Sequence, residues 1–124
     1  MTIVVDASAV GAMLFNEPEG ATLRAHIRDE TLVAPELIDY ELANICVKRM
    51  RRYSDEAAET LALLEGLHHV PIARVRVPAG PVAELAAQTN LSAYDAAYLW
   101  LALSRNAELV TLDQRLADVE QRLR

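Results

Sequence analysis

Four short apolar runs, each followed by a stretch of helical periodicity, constrain the fold of this chain more than any other feature. The first run, at residues 3–5, is Ile-Val-Val, and such an unbroken β-branched segment is typical of a strand buried on both faces of a sheet. Strands are predicted at 3–5, 31–34, 70–77 and 108–112, and helices at 9–15, 17–29, 35–52, 54–66, 78–88, 92–105 and 114–123. Because strands that alternate with helices run parallel, this order predicts an α/β fold with helices on both faces of a parallel sheet.

The composition fits one compact domain, which we place at residues 1–124. Hydrophobic residues make up 52% of the chain, which is enough for a core. The 12 Lys and Arg against 18 Asp and Glu give a net charge of −6, which argues against nucleic-acid binding by bulk charge but not against binding through a metal ion. With a single cysteine, Cys46, no apolar run of about 20 residues and no basic signal segment, we expect a cytoplasmic protein without a membrane span.

Two acidic residues, Asp6 and Asp113, directly follow the first and the last predicted strands. The carboxyl ends of parallel strands lie at one edge of a sheet, and open α/β folds bind their ligands at this edge. Each residue also has a structural interpretation, because Asp is a common N-cap of a helix that begins after it. Position alone leaves a cap and a ligand-binding role open for both.

Two further acidic residues, Glu41 and Asp95, fall on apolar faces of predicted helices. Glu41 lies among Leu37 and Ile45 at helical spacing, and Asp95 belongs to a helix that is apolar nearly all round. A buried carboxylate costs several kcal/mol unless it is paired or binds a cation. Asp95 also fits a capping box that starts at Ser92. If the four acids met, a hard divalent cation such as Mg²⁺ or Mn²⁺ would offset their repulsion, although spacing alone does not show that they meet.

Other catalytic patterns are absent or incomplete. The histidines and the single cysteine lack the spacing of a zinc site, and the chain has no phosphate-binding glycine loop and no Gly-x-Ser-x-Gly elbow. A phosphatase of the haloacid type would have a second Asp two residues after Asp6, where this chain has Ser8. A phosphoryl-accepting receiver domain would have a lysine after a late strand, but Lys48 is the only lysine and lies in a predicted helix.

Five segments together resemble the PIN-domain family, and specifically the VapC-type toxins of VapBC toxin–antitoxin pairs. They are VVDASA at 4–9, PEL at 35–37, ELAN at 41–44, LSAYDAAYL at 91–99 and LVTLD at 109–113. None is specific alone, but they span almost the whole chain in the family's order. The resemblance implies a PIN-like three-layer α/β/α sandwich with a short central parallel sheet.

The resemblance also implies chemistry. It predicts a metal-dependent endoribonuclease that uses Mg²⁺, with Mn²⁺ as a substitute, and leaves 5′-phosphate and 3′-hydroxyl ends. The catalytic and metal-binding roles of the family fall on Asp6, Glu41, Asp95 and Asp113. Supporting polar roles fall on Ser8 and Thr111. The alternative is an interaction module that keeps the fold without catalysis; the loss of one acid would favour it, and all four are present.

The partners implied by the resemblance are an RNA substrate, a cognate antitoxin that blocks the site, and a second copy of the chain in a homodimer. The helix at 35–52 carries a second apolar set, namely Ala43, Val47 and Met50, away from its first stripe. That set either packs under the next helix or forms an interface, since a chain of this size has little room to bury both faces.

The basic run at 48–52 is the densest positive cluster. It is either a solvated helix end, favoured by the helix dipole, or a contact for a phosphate backbone. Under the family interpretation, basic residues outside the acidic pocket, such as Lys48, Arg51 and Arg105, would hold the RNA backbone.

Overall fold

The structure, a computed structural model, describes all residues from 1 to 124 and contains one parallel four-stranded sheet. The strands are β1 (Thr2–Val5), β2 (Thr31–Pro35), β3 (Ile72–Val75) and β4 (Glu108–Val110), in the order β3-β2-β1-β4. The central strand β1 pairs with β2 through Val4 and Val33 and with β4 through Val5 and Val110. Val4 and Val5 are fully buried, as expected for an apolar strand covered on both faces.

Seven helices cover the sheet. They are α1 (Ala7–Leu14), α2 (Gly20–Ile27), α3 (Ile38–Arg52), α4 (Ala57–Glu65), α5 (Ala79–Thr89), α6 (Ala93–Ser104) and α7 (Gln114–Leu123). Helix α6 packs across β1, β2 and β4 and contacts α5 and α7, while α1 contacts α2 and α3, and α3 contacts α4. The predicted three-layer α/β/α sandwich with a short central parallel sheet is therefore confirmed. No helix has the length and apolar character needed to cross a bilayer.

Several predicted boundaries are wrong: the helix predicted from residue 35 begins at Ile38, because Pro35 is the last residue of β2, and the strand predicted at 70–77 spans only Ile72–Val75. Two further boundaries are wrong for local reasons. The helix predicted from residue 17 begins only at Gly20, because Glu17 forms a turn in which the Gly20 N–H donates to its carbonyl, while its carboxylate pairs with Arg49. The last strand ends at Val110 and not at residue 112, because Thr111 turns its hydroxyl toward Asp6.

Asparagine and aspartate reverse the chain after four of the helices. Asn16, Asp29, Asn90 and Asn106 have φ angles of 54°, 68°, 62° and 48°, a left-handed conformation that these two residue types tolerate. Glycine has a different role at Gly20, where an added Cβ would lie 2.6 Å from the Ala12 carbonyl oxygen. This close approach lets α2 pack directly on α1.

The strand order places a switch point beside β1. The chain leaves β1 toward β2 on one side, and β4 later returns to the other side. Crossover helices diverge at such a point and leave a crevice at the carboxyl ends of the strands. The Asp6 N–H donates to the Val110 carbonyl at 3.3 Å, which holds the ends of β1 and β4 together at this crevice.

Candidate active site

A cavity of about 240 Å³ opens at this crevice, and all four predicted acids line it. They reach it from four different elements: Asp6 from the end of β1, Glu41 from α3, Asp95 from the first turn of α6, and Asp113 from the residue before α7. The remaining lining residues are Ala7, Ser8, Asn44, Ile45, Lys48 and Tyr98. The fold thus collects carboxylates that lie up to 107 residues apart in the chain, from position 6 to position 113.

Asp6 is the most deeply buried of the four, with 5% of its surface exposed. Its Oδ1 accepts hydrogen bonds from the Ser8 hydroxyl at 2.7 Å and the Ala9 N–H at 3.0 Å, and its Oδ2 accepts one from the Thr111 hydroxyl at 2.5 Å. Burial raises the pKa of Asp6, these three hydrogen bonds partly offset the rise, and the charge of Asp95 adds to it. Asp6 is therefore the N-cap of α1 and also the centre of a polar network in the cavity.

Ser8 and Thr111 join that network to the end of β4. The Ser8 hydroxyl accepts from the Leu112 N–H, and the Thr111 hydroxyl accepts from the Asp113 N–H, both at 2.9 Å. The two hydroxyls therefore fix the Asp6 carboxylate and also tie the segment before α7 to the start of α1. The supporting role that the resemblance implies for both residues in catalysis stays a prediction.

Glu41 is half-buried and is held by a residue that the sequence analysis left without a role. The hydroxyl of Tyr98, whose exposure is 1%, donates to Glu41 Oε1 at 2.6 Å. Burial raises the pKa of Glu41, Tyr98 lowers it, and the charges of Asp95 and Asp6 raise it further. The pKa of Tyr98 is itself raised by burial and by Glu41, so its hydroxyl stays protonated and remains a donor. A tyrosine in a nearly all-apolar helix was the available signal, because a buried hydroxyl needs a polar partner.

Asp95 and Asp113 occupy the outer part of the cavity. The Ser92 hydroxyl accepts from the Asp95 N–H at 3.1 Å and caps α6, but the Asp95 carboxylate makes no return bond to the Ser92 N–H. Burial and then the charge of Asp113 raise the pKa of Asp95, while Ser92 and Arg115 lower it. Asp113 is exposed and caps α7 through the Leu116 N–H at 3.0 Å. Half of the predicted capping box is formed, and the Asp95 carboxylate still faces the cavity.

Lys48 is the only basic residue that lines the cavity. The expectation that it lies outside the acidic pocket is wrong, because residues seven apart on a helix share nearly the same face and Lys48 is seven residues after Glu41. No carboxylate oxygen forms an ion pair with its ammonium group. The cavity therefore carries four carboxylates and one unpaired cation.

The donor set of the cavity fits a hard divalent cation, because its charged ligands are carboxylate oxygens without sulfur or imidazole. The four acids do not form a complete cage: no three acidic, His or Cys side chains stand close enough to ligate one ion together. Mg²⁺ is commonly held by one or two carboxylates and keeps several water molecules. The donor set therefore suits a hydrated divalent cation that one or two of these acids would bind.

A larger groove of about 550 Å³ lies elsewhere, between α1, α2 and the segment before β3. Most of its lining is apolar, including Met13, Ile27 and Val70, and none of the four acids belongs to it. The concentration of carboxylates makes the smaller cavity the candidate active site.

The PIN-domain profile matches residues 3–121, so the chain belongs to the PIN-domain family. Within this family it is similar to VapC ribonucleases. It is 37% identical over 119 residues to a VapC ribonuclease of Mycobacterium bovis, which covers 96% of this chain and 91% of the relative. It is 33% identical over 123 residues to ribonuclease VapC3 of Pyrobaculum aerophilum, which covers 95% and 94%. The resemblance predicted from the sequence motifs is confirmed.

A solved structure shows the same architecture. The crystal structure of PAE2754 from Pyrobaculum aerophilum superposes with a TM-score of 0.78 at 26% sequence identity. The match covers 96% of this chain and 84% of that chain. The cavity described above therefore lies in a fold that an experimental structure also has.

Proposed function

We propose that this chain is an endoribonuclease that depends on Mg²⁺, with Mn²⁺ as a substitute, and leaves 5′-phosphate and 3′-hydroxyl ends. The observation that carries the proposal is the meeting of Asp6, Glu41, Asp95 and Asp113 in one cavity at the strand switch point. Burial raises the pKa values of the first three, and such perturbed acids in a cleft are typical of catalytic sites. The names of the similar VapC ribonucleases supply the substrate class, RNA.

The four acids of the cavity have different roles in the proposed reaction. When bound, Mg²⁺ supplies Lewis acidity toward the phosphate and toward water. Asp6, fixed by three hydrogen bonds, would hold the ion together with Asp95 and Asp113. Glu41 Oε1 accepts the Tyr98 hydrogen bond, so its second carboxylate oxygen would help to hold the ion or orient the attacking water molecule.

The reaction is an in-line hydrolysis of a phosphodiester. The oxygen of water bonds to phosphorus while the bond from phosphorus to the 3′ oxygen breaks. The proton lost by water passes to a carboxylate or to solvent, and the departing 3′ oxygen gains a proton from solvent. The products carry a 5′-phosphate and a 3′-hydroxyl, with no change in oxidation state.

Replacement of Asp6 by Asn tests the proposal, with Asp55→Asn as a matched control because Asp55 is exposed in the turn between α3 and α4. We expect the wild type and Asp55→Asn to cleave RNA with Mg²⁺ or Mn²⁺, EDTA to stop cleavage, and Asp6→Asn to be folded and inactive. The 5′ ends of the fragments should be substrates for a 5′-phosphate-dependent exonuclease. Cleavage that resists EDTA, or an active Asp6→Asn, would contradict the proposal, and a folded wild type that cleaves no RNA would favour a non-catalytic interaction module.

We further propose that the chain is the toxin of a type II toxin–antitoxin pair, acts in the cytoplasm and forms a homodimer. Its similarity to VapC ribonucleases supports the first part. For the dimer, the support is the second apolar set on α3: Ala43 and Met50 are half-buried, but Val47 remains 37% exposed. An antitoxin would block the cavity most directly with an arginine, which pairs with carboxylates through two hydrogen bonds.

Light scattering tests the dimer. The wild type should have the mass of two chains, and Val47→Glu should shift it toward one chain. Leu61→Glu is the matched control, because Leu61 is an exposed apolar residue on α4, at 44% against 37% for Val47. A wild type that is monomeric at all concentrations would contradict the dimer without affecting the proposed chemistry.

A further inference from the structure

The five residues of the basic run at 48–52 do not share one environment. Arg49 is committed to the fold: it forms an ion pair with Glu17, and its guanidinium carbon lies 5.4 Å from the centre of the Phe15 ring and 5.7 Å from that of Tyr53. Arg49 therefore fastens the turn after α1 to α3. The other three basic residues of the run, Lys48, Arg51 and Arg52, form no ion pair with any carboxylate.

These three residues continue the face of α3 that lines the cavity. Starting from Glu41, this face passes Asn44 and Lys48, both of which line the cavity. Arg51 and Arg52 follow Lys48 by three and four residues, which places them one helical turn, about 5.4 Å, further from the acids. The exposed edge of α3 thus changes from negative at Glu41 to positive at Lys48 and beyond.

A charge gradient of this kind suits a polyanion whose reacting group must enter an acidic cavity. The chain has a net charge of −6, so its overall field repels RNA. A divalent cation would offset the repulsion only at the phosphate that it contacts, and the neighbouring phosphates need separate cations. Lys48 is placed to meet the phosphate beside the cavity, because its ammonium group has no competing carboxylate partner.

We propose that the edge of α3 formed by Lys48, Arg51 and Arg52 is the phosphate-binding side of the RNA site, with Lys48 contacting the phosphate next to the cavity. The inference rests on the proposed ribonuclease function and adds the direction in which the RNA strand leaves the acids. Arg105, which sequence analysis grouped with Lys48 and Arg51, has no part in it. It follows the last residue of α6, about 15 Å along the helix axis from Asp95 in the first turn, at the opposite edge of the sheet.

The binding experiment uses the full-length chain in EDTA, so that no cleavage occurs, and a labelled single-stranded RNA of mixed sequence as the probe. The dissociation constant is measured over a range of salt concentrations for the wild type, Lys48→Met, Lys48→Arg and the double variant Arg51→Gln/Arg52→Gln. Arg105→Gln is the matched control, since it removes the same charge from a helix end away from the cavity. Each lost phosphate contact should lower the slope of log K against log salt by about 0.7, which corresponds to about five-fold weaker binding at 0.1 M salt.

We expect Lys48→Met to lose one contact and the double variant two, and Lys48→Arg and Arg105→Gln to behave as the wild type. In cleavage assays, Lys48→Met should raise KM, whereas the Mg²⁺ concentration for half-maximal rate should stay constant or fall, because a positive charge near the acids has been removed. A merely structural role for Lys48 would instead weaken Mg²⁺ binding and RNA binding together.

The results separate this inference from the proposed function. If the wild type cleaves RNA and Lys48→Met has the same salt slope and KM, or if Arg105→Gln weakens binding equally, the inference is overturned and the ribonuclease proposal stands. The opposite result is that Lys48→Met has a smaller salt dependence of RNA binding but the wild type cleaves no RNA with any divalent cation. The phosphate-binding role of α3 is then supported and the ribonuclease proposal is contradicted. A wild type that does not bind the probe in EDTA would overturn the inference.

Discussion

The acidic residues at one edge of the sheet are ion-paired, whereas those at the other edge are not. At the amino-terminal edge, the N-terminal ammonium group lies 2.8 Å from Glu30, and His26 lies 2.8 Å from Glu108. At the carboxyl-terminal edge, none of the four cavity acids forms an ion pair, although Lys48 lines the same cavity. A strand of four residues, about 13 Å long, separates the two arrangements.

This difference indicates that the acids of the carboxyl-terminal edge lower the stability of the fold, whereas those of the amino-terminal edge do not. The acids of the amino-terminal edge are solvated or paired, so they cost the fold little. The acids of the cavity are desolvated and repel one another, which raises the pKa values of Asp6, Glu41 and Asp95. Unpaired charges in a cleft destabilise the free chain and are retained where they bind a cation or a substrate.

The largest expected effect is that of Asp95→Asn. If Asp95 had only a structural role, the change would cost little stability and cleavage would survive, because the cap uses the Asp95 N–H, which asparagine keeps. As a metal-binding group, its loss should reduce cleavage by at least about 100-fold while the metal-free chain is no less stable. Thermal unfolding with and without Mg²⁺ supplies the second measurement, because Mg²⁺ should raise the Tm of the wild type but not that of Asp95→Asn. Near-wild-type cleavage at saturating Mg²⁺ would return Asp95 to a purely structural role.

Next in size is Tyr98→Phe, which removes the hydroxyl that holds Glu41 and leaves the ring in place. Without this donor the pKa of Glu41 should rise further, and the Mg²⁺ concentration for half-maximal cleavage should increase by roughly 10-fold, within the range seen for residues that orient metal ligands. Titration of cleavage with Mg²⁺ checks this, with Tyr94→Phe as the control because Tyr94 is exposed and makes no such bond. An unchanged titration would show that Glu41 needs no positioning.

A smaller effect concerns the pH dependence of stability. The pKa of Glu41 in the folded chain is above its ordinary value of 4.5. The folded chain therefore favours the protonated side chain, and the stability that this form gives is fully present at low pH and is lost as the pH rises through the folded pKa. In EDTA, Glu41→Gln should therefore gain stability relative to the wild type as the pH rises above about 4.5, where the unfolded chain ionises Glu41 more readily than the folded chain. Urea unfolding at several pH values measures the difference, and a constant difference would contradict the unfavourable ionisation of Glu41.

The smallest effect belongs to the amino-terminal edge. Glu108→Gln breaks the exposed pair with His26, and we expect less than about 0.5 kcal/mol in the free energy of unfolding and no change in cleavage. Urea unfolding and the RNA assay measure both quantities. A loss of activity here would show that the two edges are not independent, and the comparison between them would fail.

Much of this architecture was predictable from the sequence because its signals are local. The unbroken apolar run at 3–5 and the periodicity of residues 92–105 are properties of short segments, and both predicted elements exist. The acids after β1 and before α7 were also predictable as groups at one edge, since parallel strands end there together. The metal-binding roles of the four acids stay predictions.

What the sequence left out depends on contacts between distant segments. Tyr98 is paired with Glu41 across 57 residues, and nothing near Tyr98 in the sequence indicates which carboxylate it meets. The early end of β4 likewise reflects the contact of Thr111 with Asp6, 105 residues away. Lys48 is an exception, because its helical phase seven residues after Glu41 was available from the sequence, and the prediction that it lies outside the acidic pocket is wrong.

Because hydrogen bonds join Asp6 and Ser8 to Thr111, the site can form only after nearly the whole chain has been synthesised. These contacts span 105 and 103 residues, so the cavity cannot close before the last strand has left the ribosome. Contacts of such high sequence separation form late, after the local helices and the pairing of β1 with β2. An incomplete translation product that ends before residue 111 would contain Asp6, Glu41 and Asp95, and Asp6 would keep its local bonds to Ser8 and Ala9. It would lack the Thr111 hydrogen bond to Asp6 and the Asp113 carboxylate, so its active site would be unassembled.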